Sequence, residues 1–437
     1  MSNNIFDKLA NTLGDLIDDR IGIINTIKEH KAPNGSPPFF RYYAYMSNTK
    51  VFCDQENYRV SIGVATTRKQ ALAKAIGEGI ERYCSAIYFK KDLSFCSYQD
   101  ANFNCVNPNE FVGYEPKLYE KNDFAWKPFK ETTKVRWTTA IDITNNKTIT
   151  HVPAAYVYLP YIYGDSEEKI IQSISTGLAC HMSYELAALT AIFEVVERDA
   201  FMIFWRNRIS PPKINIDTLP FKIQHIINEY QSANYKVTLL YITTDIKIPT
   251  VLAILRCTLP KNPSLIVAAS CKLSPELAVV SALEELELTR SHCIELLRDE
   301  QINSNTSYDQ FKYQKDHLLF WSRIENLPLI NFLFESNTVI NIDQMPNLII
   351  GSASKELDSI INIFTTLNLR ILLANITTSD LSHYGFHVIR AIIPKLHPLT
   401  FGYKNDEFQC QRLLSVPKTL GFKNALLSNT YLPHPFP

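Results

Sequence analysis

The sequence predicts an α+β fold in which long, largely buried helices pack on mixed sheets. Three observations carry this. Two helical stretches repeat the pattern ExxER amid apolar residues. Three apolar, β-rich runs, at 237–242, 251–257 and 265–270, fall between helices. No repeat of solenoid period recurs along the chain. With 437 residues, 46% hydrophobic and 20% charged, the chain can bury a substantial core and is not disordered in composition.

In order along the chain, Ile5, Leu9, Leu13, Leu16 and Ile24 fall at helical spacing and predict an amphipathic helix over the first ~30 residues, suited to packing or docking. The breaker APNGSPP (32–38) ends it, and the aromatic and β-branched stretch 42–64 reads as strands. A helix is expected over 67–89. Residues 92–135 lack periodicity and read as an irregular excursion over the surface or a cover for a site. Strands are expected at 135–140 and 148–159, with Asn145 and Asn146 in the turn between them. Ser183 precedes a long helix that runs to about Arg206, before Pro211 and Pro212. Then come a helix (221–235), the three apolar strands and a helix from Pro275 to about Leu297. The last quarter holds a helix (355–367), strands (369–376 and 387–393) and a Pro-rich end. As domains, 1–59 is expected to be a helix-and-strand docking element and 60–437 the catalytic unit.

Lys and Arg (44) balance Asp and Glu (44), so no global field would hold a nucleic-acid backbone or an anionic membrane. Neither nucleic acid nor membrane is expected as a partner. Acids run through the N-terminal segment where a signal peptide needs a basic start, and no uncharged apolar stretch approaches the ~18 residues of a span. A cytoplasmic location is expected. Nine cysteines, never spaced CxxC, predict free and mostly buried thiols. His181 beside Cys180 lacks an orienting third group and reads as a packed residue.

The ExxER pairs are the chemically informative feature. Glu78, Glu81 and Arg82 share one helical face, as do Glu194, Glu197 and Arg198. Exposed faces of this kind make salt bridges worth only ~0.3–0.5 kcal/mol. Here, however, the second helix is apolar in nearly every other direction, and small residues surround the first. Buried carboxylates gathered in one place take up protons or recruit a cation. Oxygen ligands favour Mg²⁺ or Ca²⁺, and with Arg82 and Arg198 beside them they suggest a metal-bridged nucleotide. No GxxxxGK[ST] loop is present, so side chains and metal would hold the phosphates.

The runs SIGVATTRKQALAKAIGEGIERY (61–83), STGLACHMSYELAALTAIFEVVERDA (175–200) and HVIRAIIPKLHPLTFGY (387–403) resemble the YcaO superfamily. The final PHPFP resembles the PxPxP ending of its azoline-forming cyclodehydratase branch. The resemblance implies a YcaO-type fold and ATP- and Mg²⁺-dependent activation of a backbone amide. Cys, Ser or Thr of a ribosomal precursor peptide would become thiazolines or oxazolines. It assigns Glu78, Glu81, Glu194 and Glu197 to metal. Arg82, Arg198, Ser183, Glu185 and Glu285 are assigned to ATP, with Glu284 as the fallback for Glu285. Pro437 is placed at the reacting centre as a catalytic residue.

The implied partners are the precursor peptide and a separate leader-binding protein of the ocin-type C class. Whether a flavin dehydrogenase in the same complex oxidises the azolines stays open. Departures from the family pattern are Leu186, Ser281, Leu288, Lys74 and His181. Alternatives are another YcaO amide modification, to a thioamide or an amidine, and a non-catalytic YcaO scaffold.

Overall fold

The computed structural model describes residues 14–260, 262–299, 308–403, 405, 407–422 and 432–436. The first sheet comprises β1 (Ile24–His30), β2 (Phe40–Met46) and β3 (Val60–Ala65), all antiparallel. Most of the expected N-terminal helix falls on residues 1–13, outside the described residues. From Ile24 onward the helical expectation is overturned: Ile24, Thr26 and Ile27 lie in a strand paired with Met46, Tyr45 and Ala44. The Asp18 carboxylate accepts the N–H groups of Arg20 and Ile21 in a turn, and β pairing then overrides the helical spacing of the apolar residues. β3 pairs with β2, so residues on both sides of position 59/60 share this sheet.

Helix α1 (Arg68–Ala86) follows, capped by the Thr67 side chain, which accepts the Gln70 N–H. It lies directly on β2 and β3, because a side chain at Gly63 would collide with the Ala71 carbonyl and the Ala75 nitrogen. The stretch 92–135 is irregular as expected, apart from β4 (Ser94–Cys96) and single turns of helix. Its aromatic residues pack around Trp137 and Phe408.

β5 (Val135–Asp142), β6 (Thr148–Pro153) and β7 (Leu178–His181) precede α2 (Tyr184–Arg206). β6 stops at Pro153, short of the expected 159, and the chain turns through a 3-10 helix at Ala154–Tyr156. β8 (Lys213–Ile214), α3 (Phe221–Ser232), β9 (Lys236–Tyr241), β10 (Thr250–Arg256), β11 (Leu265–Cys271) and α4 (Pro275–Asp299) come next. α5 (Gln314–Trp321), β12 (Val339–Ile340), α6 (Ala353–Thr366), β13 (Leu372–Asn375), α7 (Ser379–His383), β14 (His387–Ile392) and α8 (Arg412–Thr419) complete the chain.

The second sheet has the order β11-β10-β9-β8-β12; the third has β4-β5-β13-β14-β7, with β6 beside β5. The fold class is thus α+β. Each of three long helices bridges two sheets. α1 packs on the first and third, α2 on the third and second, and α4 on the second and first. The helices therefore sit at the seams where the sheets meet, which is where side chains of distant sequence can converge. All nine cysteines are free, and among the described residues no helix is long and apolar enough to cross a membrane.

Candidate active site

The site is built at the helix seams. Ser183 caps α2 by accepting the Leu186 N–H, and apolar residues bury that helix on almost every side, so Glu197 is buried and Glu194 and Arg198 are partly buried. The two ExxER motifs share one internal geometry. Arg82 Nη2 lies 3.4 Å from Glu78 Oε1, and Arg198 Nη2 lies 3.5 Å from Glu194 Oε1. Arg82 Nη1 and Glu81 Oε1 are 3.7 Å apart, and Arg198 Nε and Glu197 Oε1 are 3.4 Å apart.

Backbone N–H groups from β3, from β11 and from the turn before β7 anchor the other oxygens. Ile62 donates to Glu78 Oε2 at 3.1 Å, Gly177 to Glu194 Oε2 at 3.1 Å and Cys271 to Glu197 Oε2 at 3.3 Å. Gly177 is required twice over. Its φ of +85° is left-handed, and a Cβ there would meet the Ala391 carbonyl at 2.5 Å and Val195 at 2.8 Å. On α4, Glu284 follows the same rule: Thr66 N–H donates to Oε1 at 3.1 Å, and Lys74 Nζ lies 2.8 Å from Oε2. Each of these acids thus commits one oxygen to the scaffold and turns the other to a cation.

Burial and like charge both act on the acids. Burial holds the Glu81 carboxyl well above the ordinary range. Arg82 opposes this, and Glu194 and Glu78 add to it. Burial likewise lifts Glu197 to about 8, against Arg198 and Lys272 and with Glu194 and Glu285. Glu194 is the common neighbour that joins the two motifs. Behind it lies Arg390 on β14, buried, its Nη1–H donating to the Ile174 carbonyl at 2.9 Å. Burial brings Arg390 down to about 10, against the pull of Glu194 and Glu81.

Not every expected residue joins this centre. The Ser183 hydroxyl donates to Glu185 at 2.8 Å, at the N-terminal end of α2. Glu185 is ~13 Å from Glu194 along the helix axis, at ~1.5 Å per residue, and the titratable groups around it are His387 and Lys147. Glu285 is half-exposed and 3.9 Å from Lys74. Pro437 lies outside the described residues, but the segment before it is buried and pinned. Trp205 Nε1–H donates to the Leu432 carbonyl at 3.2 Å, and Trp321 Nε1–H to the Pro433 carbonyl at 2.9 Å. Sequence reasoning missed Arg390, although it stands in the quoted run 387–403. A lone arginine in an apolar strand was the available clue. It also missed the Asp199–Arg412 pair (2.9 Å), which with Asp245 at 2.6 Å fixes the half of α2 that carries Arg198.

A family profile described as YcaO cyclodehydratase, ATP- and Mg²⁺-binding, matches residues 62–397. The chain belongs to the YcaO family. That match takes in both ExxER helices and α4, and this YcaO protein is accordingly an ATP-dependent enzyme whose nucleotide and metal are ATP and Mg²⁺.

An uncharacterised protein of Methanothermobacter thermautotrophicus is 27% identical over 354 residues, 78% of this chain and 83% of that protein. A heterocyclase solved with substrate and cofactor superposes with a TM-score of 0.78 at 20% identity. It covers 98% of this chain, whereas this chain spans 57% of that heterocyclase. A YcaO of Methanopyrus kandleri, bound with AMPPCP and Mg²⁺, has a TM-score of 0.63 at 17% identity over 89% of this chain and 90% of its own. A chain of the E. coli microcin synthetase McbBCD complex has 0.55 at 14%, over 85% and 88%.

The donor set fits Mg²⁺. Magnesium takes oxygen ligands, keeps several waters and is bound by one or two carboxylates together with phosphate oxygens. Glu78, Glu81, Glu194 and Glu197 supply such oxygens. A divalent cation would offset both the burial that raises Glu81 and Glu197 and the repulsion from their acidic neighbours. Among the described residues no three acidic, imidazole or thiol groups form a ready cage.

Proposed function

We propose that this YcaO protein is the ATP-using subunit of a peptide cyclodehydratase, which converts Cys, Ser or Thr of a ribosomally made precursor peptide to thiazolines or oxazolines. The observation that carries this reading is a pair of ExxER motifs of matched internal geometry, one on α1 and one on α2, linked by Glu194, whose charge acts on both Glu81 and Glu197.

In this reaction the thiol or hydroxyl adds to the preceding carbonyl carbon and gives up its proton. The oxyanion so formed takes the γ-phosphoryl group of ATP, releasing ADP. Phosphate then leaves with the former amide oxygen as the amide nitrogen loses its proton, and a C=N bond completes the ring. Glu78, Glu81, Glu194 and Glu197 would hold Mg²⁺, which would neutralise the phosphate charge.

The protein's own part is positioning. Arg82 and Arg198 are fixed by their acids, which pre-orients their guanidinium groups, and both are assigned to the phosphates of ATP. Ser183 and Glu185, toward the start of α2, are assigned to the nucleoside end of ATP, and Glu285 on α4 to the same nucleotide. Pro437 follows the buried segment that packs beside Arg198, which supports its assignment to the reacting centre.

A leader-binding protein of the ocin-type C class is the proposed partner, with a flavin dehydrogenase as a further one where azolines are oxidised. The likeness to a chain of a multi-protein synthetase supports action within a complex. The cytoplasm, where ATP and precursor peptides coexist, is the proposed location.

The test is calorimetric titration with ATP, with and without Mg²⁺, followed by mass spectrometry of precursor treated with this protein and its partner. Mg²⁺-dependent binding and the loss of one water per ring are expected, and both should vanish in Glu194→Gln. Unchanged modification by Glu194→Gln would sink the reading.

A further inference from the structure

Lys74 sits on α1 one turn before Glu78, yet its ammonium does not turn to that helix's own acids. It reaches across to α4, 2.8 Å from Glu284 Oε2 and 3.9 Å from Glu285 Oε1. The opposite oxygen of Glu284 is already occupied by the Thr66 N–H. Glu284 is buried and therefore needs its charge compensated. Burial alone would lower the lysine. Glu284, Glu285 and, more weakly, Glu78 outweigh it and hold the ammonium above the ordinary lysine range.

A magnesium ion bound at Glu284 Oε2 would compete with Nζ for the oxygen that the ammonium already pairs with. Its ligand oxygens would stand about 2.1 Å away, and it would share Glu284 Oε2 with a like charge. Magnesium and the Lys74 ammonium therefore exclude each other at the α4 acids.

We propose that Lys74 is a built-in cation of the nucleotide site, which serves the Glu284–Glu285 pair in place of a metal ion and confines magnesium to Glu78, Glu81, Glu194 and Glu197. The inference rests on the nucleotide reading given above and adds to it how many divalent ions the site takes. Lys74 acts through the acids it neutralises and is a positioning residue. A salt bridge that merely ties α1 to α4 would change stability without changing the number of ions bound with ATP.

The experiment is ATP binding by calorimetry across a series of Mg²⁺ concentrations, for wild type, Lys74→Met and Lys74→Arg. The slope of log affinity against log free Mg²⁺ counts the ions taken up with the nucleotide. Lys74→Met is expected to steepen that slope by about one ion per ATP and to weaken binding at low Mg²⁺ more than at high. Lys74→Arg should keep the wild-type slope. Lys74→Gln keeps a donor for Glu284 without the charge and gives the same readout should the methionine variant not fold. Folded variants that bind with the wild-type slope overturn the proposal. A wild type that binds no ATP at any Mg²⁺ concentration overturns the nucleotide site itself, so the two failures are distinct.

Discussion

The Arg198 guanidinium lies 4.2 Å from the centre of the Phe436 ring. An arginine of the second ExxER motif and the last described residue of the chain are thus in direct contact, across more than half of the sequence. Phe436 also packs against Phe201, with ring centres 4.6 Å apart, one turn further along the same helix. The C-terminal segment is therefore part of the wall of the site. Its backbone is held by two indoles and by His317, whose Nδ1 lies 2.8 Å from the His434 carbonyl.

Replacing Phe436 should separate packing from the ring–cation contact. Phe436→Ala removes a fully buried ring and is expected to destabilise the protein by about 3 kcal/mol. Phe436→Leu keeps most of the volume but loses the π face, a contribution of about 1 kcal/mol. Thermal unfolding together with ATP turnover should show a large melting shift only for alanine and a roughly fivefold loss of turnover for leucine.

Glu194 touches the Gly177 N–H and Arg198, and it adjoins both Glu81 and Glu197. Glu194→Gln keeps the shape and removes the charge. Mg²⁺-dependent ATP affinity should fall by about 100-fold or more, while circular dichroism stays that of wild type. Affinity within a few-fold of wild type would place the metal elsewhere.

His434 is buried, and its Nε2 lies 2.9 Å from the Thr400 carbonyl. Burial brings it down to about 4 from its ordinary 6.5. The unfolded chain therefore binds the proton that the folded one refuses, and stability drops as pH falls from about 6.5 to about 4, by something of the order of 3 kcal/mol. Fluorescence of Trp205 and Trp321, whose indoles hold this segment, should shift to the red across that window. His434→Gln should abolish the shift, and a shift that survives in the variant would assign it to another group.

Arg390 is a buried cation facing Glu81 and Glu194. Arg390→Met leaves those carboxylates less compensated and should cost about 3 kcal/mol. Mg²⁺ with ATP should restore part of that, giving the variant a larger ligand-induced rise in melting temperature than wild type. Equal rises in both proteins would place Arg390 outside the field of the bound metal.

How much of this was legible depends on whether the information was local. The starts of α1 and α2 were readable because Thr67 and Ser183 are capping residues set before apolar periodicity, whereas α1 ends at Ala86, short of the expected 89. The burial of Glu197 and the partial burial of Glu194 were readable from the apolar residues on every other side of their helix. The strand at Ile24–His30 was not, since apolar spacing there fits a helix and only pairing with β2 decides otherwise. Nor was the choice between Glu284 and Glu285 legible. Adjacent acids differ by about 100° around a helix, and only the docking of α4 against β3 turns Glu284 inward to Thr66 and Lys74.

By itself, then, the sequence determined the fold class, the two acidic motifs and the chemistry their residue types allow, because each of these resides in a few neighbouring residues. Only the tertiary structure decided which acids meet and which cations balance them. Lys74, Arg390 and the segment at Leu432–Phe436 reach the site from different seams of three sheets. Their partnership is set by how long helices bridge those sheets, and no local pattern of residues encodes that distance.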